Sequence, residues 1–271
     1  MDLQQIVDSH IHLHDYEPGT DIREIVRAAA EAGVTRLVCN GTSEESWKEI
    51  VEFAESNTQV VPCFGIHPWF IERCSEGWES RLDGLIERMR CGVGEIGLDR
   101  LREPCDRTAQ ESAFRTQLRI ARKHDRPAMI HCVRAWGWMM DVLMSELRLP
   151  SGFLMHSYGG SADLVKPLAQ MGAYFSFSGK VLSGNFERAR LAIRAVPMDR
   201  LLVETDAPCM IPPEEFRPHP LRSSTGDEYN HPANLPSIVA GIAAFLEVPA
   251  EDLREILLEN SRTFFGRITT F

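Results

Sequence analysis

Ile6-Val7-Asp8-Ser9-His10-Ile11-His12-Leu13, running on into His14-Asp15, reads as a β-strand that enters its turn without a glycine. Side chains alternate along a strand, so His10 and His12 share one face while Ile11 and Leu13 share the other. An open sheet that binds a dinucleotide carries a Gly-rich turn after its first strand, and none stands here. Outward from this stretch, short apolar runs alternate with helical patterns almost to the end of the chain. Further strands are predicted at 36–40, 60–66, 92–99, 128–132, 152–156, 173–177 and 201–206. Helices are predicted between them: Asp21 opens an Ala-rich one that stops at Gly33, and others cover 44–55, 78–90, 108–124, 135–147, 163–171 and 186–195.

This succession of strand-plus-helix units predicts an α/β fold of the TIM (β/α)8 barrel type, with an open doubly wound sheet as the alternative. Beyond the last strand, a Pro-rich stretch from Pro208 to Pro220 and a polar segment from Ser223 to Asp227 read as one long functional loop. Helices at 236–246 and 250–260 follow. No repeat or low-complexity tract interrupts the pattern, so residues 1–271 are read as a single domain.

Composition narrows the function. The 271 residues are 44% hydrophobic, enough for a sizeable core, and 29 basic against 39 acidic residues give a net charge of −10. So acidic a surface repels nucleic-acid backbones at long range, which argues against broad duplex coating and confines phosphate chemistry to a local site. The seven cysteines (Cys39, Cys63, Cys74, Cys91, Cys105, Cys132 and Cys209) are odd in number and lack C-x-x-C spacing, against a disulfide framework or zinc finger. The start from Met1 to Gln5 shows no signal-peptide pattern, and no apolar run approaches the ~18–20 residues that cross a bilayer. A cytoplasmic protein with no membrane partner is expected.

On the inward face of a barrel strand, two imidazoles at the His10–His12 spacing can chelate one divalent ion. Alone, the pair is weak, being equally compatible with polar strand residues satisfied by hydrogen bonds. Other potential ligands recur at matching strand positions: Glu95 in the fourth, His131 at the end of the fifth, His156 at the end of the sixth and Asp206 at the end of the eighth. Barrel enzymes place their chemistry at these carboxyl ends, and a core of unpaired acids and imidazoles would be costly. The six residues therefore predict a two-metal centre. Glu95, set between Gly94 and Gly97, is the expected bridge, since a carboxylate can screen the repulsion of two cations. Glu204 shares the inward face with Asp206, as a supporting group or a structural acceptor. His67 at the top of strand three is read as a substrate contact. His14 is read as a rim residue and His124 as a helix-terminal group.

In order along the chain, Asp8-Ser9-His10-Ile11-His12, Gly65-Ile66-His67-Pro68, Gly94-Glu95-Ile96-Gly97-Leu98-Asp99, Ile130-His131, His156-Ser157-Tyr158-Gly159-Gly160 and Glu204-Thr205-Asp206-Ala207-Pro208 resemble the TatD family of metal-dependent deoxyribonucleases, related to the amidohydrolase barrels. Asn260-Ser261-Arg262-Thr263-Phe264-Phe265 resembles that family's closing segment. The resemblance implies that His10, His12 and Asp206 hold one divalent ion and His131 and His156 another, with Glu95 between. It implies a 3′-5′ exonuclease type of phosphodiester hydrolysis on DNA ends or short single strands, with two Mg2+ or Mn2+ ions; the mixed ligation also suits Zn2+. Water activated by the ions would attack phosphorus, with Asp206 as the group that takes its proton and Glu95 as its partner in catalysis.

The chain departs from the family pattern around the metal ligands. Val133 stands where relatives often have an arginine, with Arg134 one step later, and Tyr229 stands where an arginine is common. Trp69 and Phe70 follow Pro68, positioned either to stack a base or to pack the rim. Arg134, Lys180, Arg217 and Arg222 are candidate phosphate contacts or ordinary surface charges. A small-molecule amidohydrolase or phosphoesterase on the same barrel is the second reading, and a scaffold subunit the third. No motif for a protein partner is present.

Overall fold

The strand–helix alternation is reproduced unit by unit in a computed structural model that describes residues 5–101, 106–146 and 148–271. Cys105 and the predicted helix end at Leu147 lie outside the described residues, as do Met1 to Gln4. Eight parallel strands form one sheet in chain order: β1 (Ile6–Ile11), β2 (Val34–Asn40), β3 (Val60–Phe64), β4 (Gly92–Asp99), β5 (Ala128–Val133), β6 (Phe153–Met155), β7 (Ala173–Phe177) and β8 (Leu201–Val203). Helices α1 (Ile22–Glu31), α2 (Glu44–Ser56), α3 (Trp78–Arg88), α4 (Arg107–Lys123), α5 (Trp136–Ser145), α6 (Ala162–Gln170) and α7 (Glu187–Ala195) connect them, and α8 (Leu235–Leu246) and α9 (Ala250–Phe265) follow. Local chemistry explains the boundaries. The Asp21 carboxylate accepts from the Arg23 and Glu24 amides to open α1, and Gly33, at φ +94°, turns the chain into β2.

The segment after β8 completes the ring. The Asp206 amide donates to the His10 carbonyl at 3.0 Å and the His12 amide to the Ala207 carbonyl at 2.8 Å, while the Ser9 hydroxyl reaches the Val203 carbonyl at 2.7 Å. A sheet whose first and last strands meet is a barrel, so the open-sheet alternative is excluded. Two predicted strands end early. His12 starts a single 3-10 turn over Leu13–Asp15, and Glu204–Asp206 leaves the ladder, with Asp206 held at φ +51°.

β2 carries an extra residue low in the barrel, from Val34 to Arg36 against Ile6 to Val7, and β1 and β4 each carry one nearer the site. Between Asp8 and Ile11, β1 advances three residues while β2 advances two, from Leu37 to Cys39. Between Val93 and Ile96, β4 does the same against Ala128 to Ile130 of β5. Such bulges re-aim side chains and break the simple alternation. The bulge in β1 lets Val7 and His10, of opposite parity, both face inward; that in β4 frames Glu95.

The barrel interior is layered. Its lower layer is apolar: Val7, Val38, Val61, Met129, Leu154 and Leu202 pack together, sealed by Phe264 and Phe265 at the end of α9 and by Ile268 just beyond it. Asn260, on the same helix, donates to the Met198 and Leu201 carbonyls and ties α9 to the start of β8. The resemblance's closing segment is thus the plug of the barrel floor. The outer faces of the strands form a second apolar layer under the helices. The acids and imidazoles occupy the opposite, carboxyl end.

Candidate metal centre

Glu95 lies at the middle of that end, buried, and its two carboxylate oxygens face different groups. Oε2 faces His12 Nε2 at 3.3 Å and His10 Nε2 at 3.5 Å. Oε1 faces His156 Nε2 at 2.7 Å, His131 Nδ1 at 2.8 Å and His67 Nε2 at 3.6 Å. Asp206 Oδ1 joins the first group, 3.4 Å from His12 Nε2. All six sequence-predicted ligands therefore meet, three strands and three strand ends contributing.

The fit of this donor set to divalent ions can be tested on its nitrogens. His12 Nδ1 lies 2.8 Å from the Asn40 carbonyl, which only accepts, so the neutral ring that binds a cation carries its proton on Nδ1 and presents a lone pair on Nε2. That lone pair is 3.1 Å from His10 Nε2. On the other side, His131 Nδ1 and His156 Nε2 are 3.3 Å apart. Nitrogens this close, turned toward one carboxylate, suit a cation among them. One acid thus presents a separate oxygen to each of two imidazole groups.

Supporting carboxylates hold the ligands. Asp99 Oδ2 accepts from His131 Nε2 at 2.8 Å, which leaves Nδ1 free to face Glu95. Gln110 clasps the Asp99 backbone, accepting from its amide at 2.9 Å and donating to its carbonyl at 3.0 Å. Glu204 accepts from the Ser157 amide at 2.7 Å and from the Ser176 hydroxyl, and stands 3.8 Å from His156 Nδ1. Asp8 accepts from the Thr205 amide at 2.9 Å and from its hydroxyl, fixing the residue before Asp206. Sequence reasoning weighed Glu204 but missed the roles of Asp8 and Asp99. The signal for Asp99 was present, because Glu95, Gly97 and Asp99 alternate onto one face. Gly97 itself is required there: it sits at φ +151°, and a β-carbon would lie 2.0 Å from the His131 carbonyl oxygen.

His67 differs from the other imidazoles. Its Nδ1 accepts from the Trp69 amide at 3.1 Å, so the neutral ring carries its proton on Nε2, the atom aimed at Glu95. Burial, reinforced by the neighbouring His131, holds His67 well below the usual histidine range. A neutral N–H donor pointing into the site is a hydrogen-bond partner for an anionic oxygen rather than a lone-pair ligand.

Burial pushes the Glu95 carboxyl up, but His156, His67, His10 and His12 outweigh it and hold the group well below the carboxylate range. Asp206 is lowered in the same way by His12 and His10 against its burial. Conversely, burial depresses His12, yet Asp206 and Glu95 raise it well above its ordinary value. The centre is built to keep both acids ionised in a water-poor place, which is what cation ligation needs.

Above the centre opens a cavity of about 280 Å3, whose lining includes Trp69, Phe70, Cys132, Val133, Cys209 and Met210 beside the ligands. Arg134 is exposed at φ +54° and Lys180 sits in the turn after β7; the cavity lining includes neither. Arg217 and Arg222 are both engaged by Glu228, each at 2.7 Å across the hairpin β9 (Leu221–Arg222) and β10 (Glu228–Tyr229). Tyr229 packs edge-on against Tyr16, whose hydroxyl donates to the Asn230 carbonyl at 2.8 Å. His14 reaches Thr42 at 3.3 Å, and His124 ends α4 with Nε2 2.9 Å from Asp83. The six described cysteines are unpaired. No single helix among the described residues is long and apolar enough to cross a membrane.

Compared with known proteins, residues 7–266 match the family described as TatD related DNase. A relative named 3′-5′ ssDNA/RNA exonuclease TatD, from Dickeya dadantii (strain 3937), is 33% identical over 269 residues, spanning 95% of this chain and 97% of that protein. Uncharacterized metal-dependent hydrolase YabD of Bacillus subtilis (strain 168) is 28% identical over 263 residues, 96% of this chain and 98% of that one. The crystal structure of YjjV, a TatD homolog from Escherichia coli K12, superposes with a TM-score of 0.87 at 25% identity, covering 97% of this chain and 99% of the other.

Proposed function

The chain belongs to the TatD related DNase family and is a metal-dependent hydrolase, and from that premise we propose that it removes nucleotides from the 3′ ends of short or single-stranded DNA by two-metal phosphodiester hydrolysis. The observation that carries this reading is the division of labour at Glu95. Oε2 serves the His10, His12 and Asp206 group, and Oε1 serves the His131 and His156 group. Divalent ions held there would neutralise charge on phosphoryl oxygens and make water a stronger acid. His10, His12 and Asp206 would hold one, His131 and His156 the other, with Glu95 between. Asp206, kept ionised and on the cavity wall, is placed to accept the proton of the attacking water. His67 Nε2–H is placed to donate to a phosphoryl oxygen, orienting it and offsetting its charge. Asp99, Glu204 and Asp8 hold these groups without touching the substrate.

The test is digestion of end-labelled single- and double-stranded DNA by Mn2+-loaded protein, beside Asp206→Asn and EDTA controls. Stepwise shortening from the 3′ end, with at least a ~100-fold loss in Asp206→Asn, is expected. Intact DNA beside hydrolysis of a small ester or amide would overturn the nuclease in favour of a small-molecule hydrolase. That second reading draws on the scarcity of cationic side chains at the cavity.

A further inference from the structure

The cavity has two kinds of wall. Its floor is the charged centre, whereas Trp69, Phe70, Cys132, Val133, Cys209 and Met210 supply an apolar wall, beside the polar Asp15, Thr42 and Ser157. Among the described residues that line it, none is lysine or arginine. Arg134, exposed beside Val133, and Lys180 stand outside the lining. Arg217 and Arg222 are paired with Glu228, and Arg73 lies over the Phe70 ring, 5.2 Å from its centre. A site that tracks a nucleic-acid strand needs several phosphate contacts, and these make its binding strongly salt-dependent. Here the volume, about 280 Å3, is near the ~300 Å3 lower end of small-molecule pockets and suits one nucleotide-sized group.

Trp69 is positioned with care. Its amide is fixed to His67 Nδ1 at 3.1 Å, and its half-buried ring meets His67 edge-on, with centroids 5.1 Å apart. The indole therefore borders both the donor to the phosphate and the open cavity. We propose that this wall is the specificity site for one flat, uncharged ring attached to the scissile phosphate, seated against Trp69, and that the protein grips no other phosphate. A terminal base and an aryl ester group share that chemistry. The inference deepens the phosphodiesterase reading and rests on it for the phosphate.

Two measurements test it. Calorimetry on Mn2+-loaded protein compares thymidine 5′-monophosphate and phenyl phosphate with deoxyribose 5-phosphate. Both ring-bearing ligands should bind about tenfold tighter or better, a margin that Trp69→Ala abolishes and Trp69→Phe largely restores. Steady-state kinetics then compare (dT)2 with (dT)12 at about 50 and about 200 mM KCl, and kcat/KM per end should agree within about threefold at both. Equal binding of ringed and ringless phosphates would overturn the ring site. So would a (dT)12 advantage above about tenfold that salt removes, since that signals a gripped strand. If ring discrimination is found but neither oligomer is cut, the ring site stands and the nuclease reading falls. If oligomers are cut without discrimination, the reverse holds. Tighter binding of the nucleotide than of phenyl phosphate identifies the ring as a base, and equal binding identifies any aryl group as sufficient.

Discussion

Replacing Asp99 by asparagine perturbs the His131 side of the centre and leaves the His12 side intact. In the native protein, Asp99 Oδ2 accepts from His131 Nε2 at 2.8 Å and Oδ1 accepts from the Leu101 amide, so both oxygens have donors. The clasp by Gln110 uses only the Asp99 backbone and survives the substitution. Asparagine offers a single oxygen. Turned toward Leu101, it sets its NH2 against His131 Nε2–H and drives the ring to the other tautomer, protonating the Nδ1 that faces Glu95. Turned toward His131, it sets its NH2 against the Leu101 amide and leaves a hydrogen bond without charge assistance. Loss of such an orienting carboxylate costs about 10–100-fold in metal affinity, or ~1.4–2.7 kcal/mol. Calorimetric titration of metal-free protein with Mn2+ should show two binding steps, with one weakened by about that factor in Asp99→Asn and the other changed by less than threefold. Two unaltered steps would refute the argument. Equal weakening of both would also refute it, because Asp99 would then support the whole centre and not His131 alone.

Gly97→Ala should be among the most damaging single-methyl changes, since its β-carbon would meet the His131 carbonyl at 2.0 Å; thermal unfolding should show a loss of about 3 kcal/mol or more, and a change below about 1 kcal/mol would contradict the close approach of β4 to β5. Glu146 accepts from Arg119 at 2.9 Å and from Arg115 at 3.0 Å, and although burial pushes its carboxyl up, these two arginines hold it below its ordinary value of 4.5. A lowered carboxyl stabilises the fold above that value and loses the contribution as pH falls through its folded pKa. Urea unfolding of Glu146→Gln should therefore show a deficit of about 0.5–1 kcal/mol at neutral pH, and the deficit should close as the acid is protonated; a gap independent of pH would assign the effect to shape.

Much of this was legible from residue order because both periods in the chain are strong. Ile11 and Leu13 against His10 and His12 announced an inward imidazole pair, and the ligands at successive strand ends announced a shared rim. What alternation alone could not convey was the pair of bulges in β1 and β4. A strict two-residue period places Val7 on the opposite face from His10, yet the extra residue in β1 brings both inside. The fates of Arg217 and Arg222 were hidden for a different reason. Their partner, Glu228, comes into reach only when the Leu221–Arg222 and Glu228–Tyr229 strands pair, in a loop whose prolines and glycine mark a turn without fixing its register. Asp99 was quoted within a motif, but its task depends on how β4 lies beside β5, where Gly97 stands opposite His131.

The stopper formed by Phe264, Phe265 and Ile268 has a kinetic meaning. A vessel closed beneath has one doorway, so on the proposed nuclease reading a severed nucleotide would depart along the route by which the next strand end arrives. Entry and exit would then compete for the same passage, and with the floor sealed by these side chains, each turnover would be a separate visit. Digestion should then leave a ladder of intermediate lengths early in the reaction instead of a few molecules consumed to completion beside others untouched.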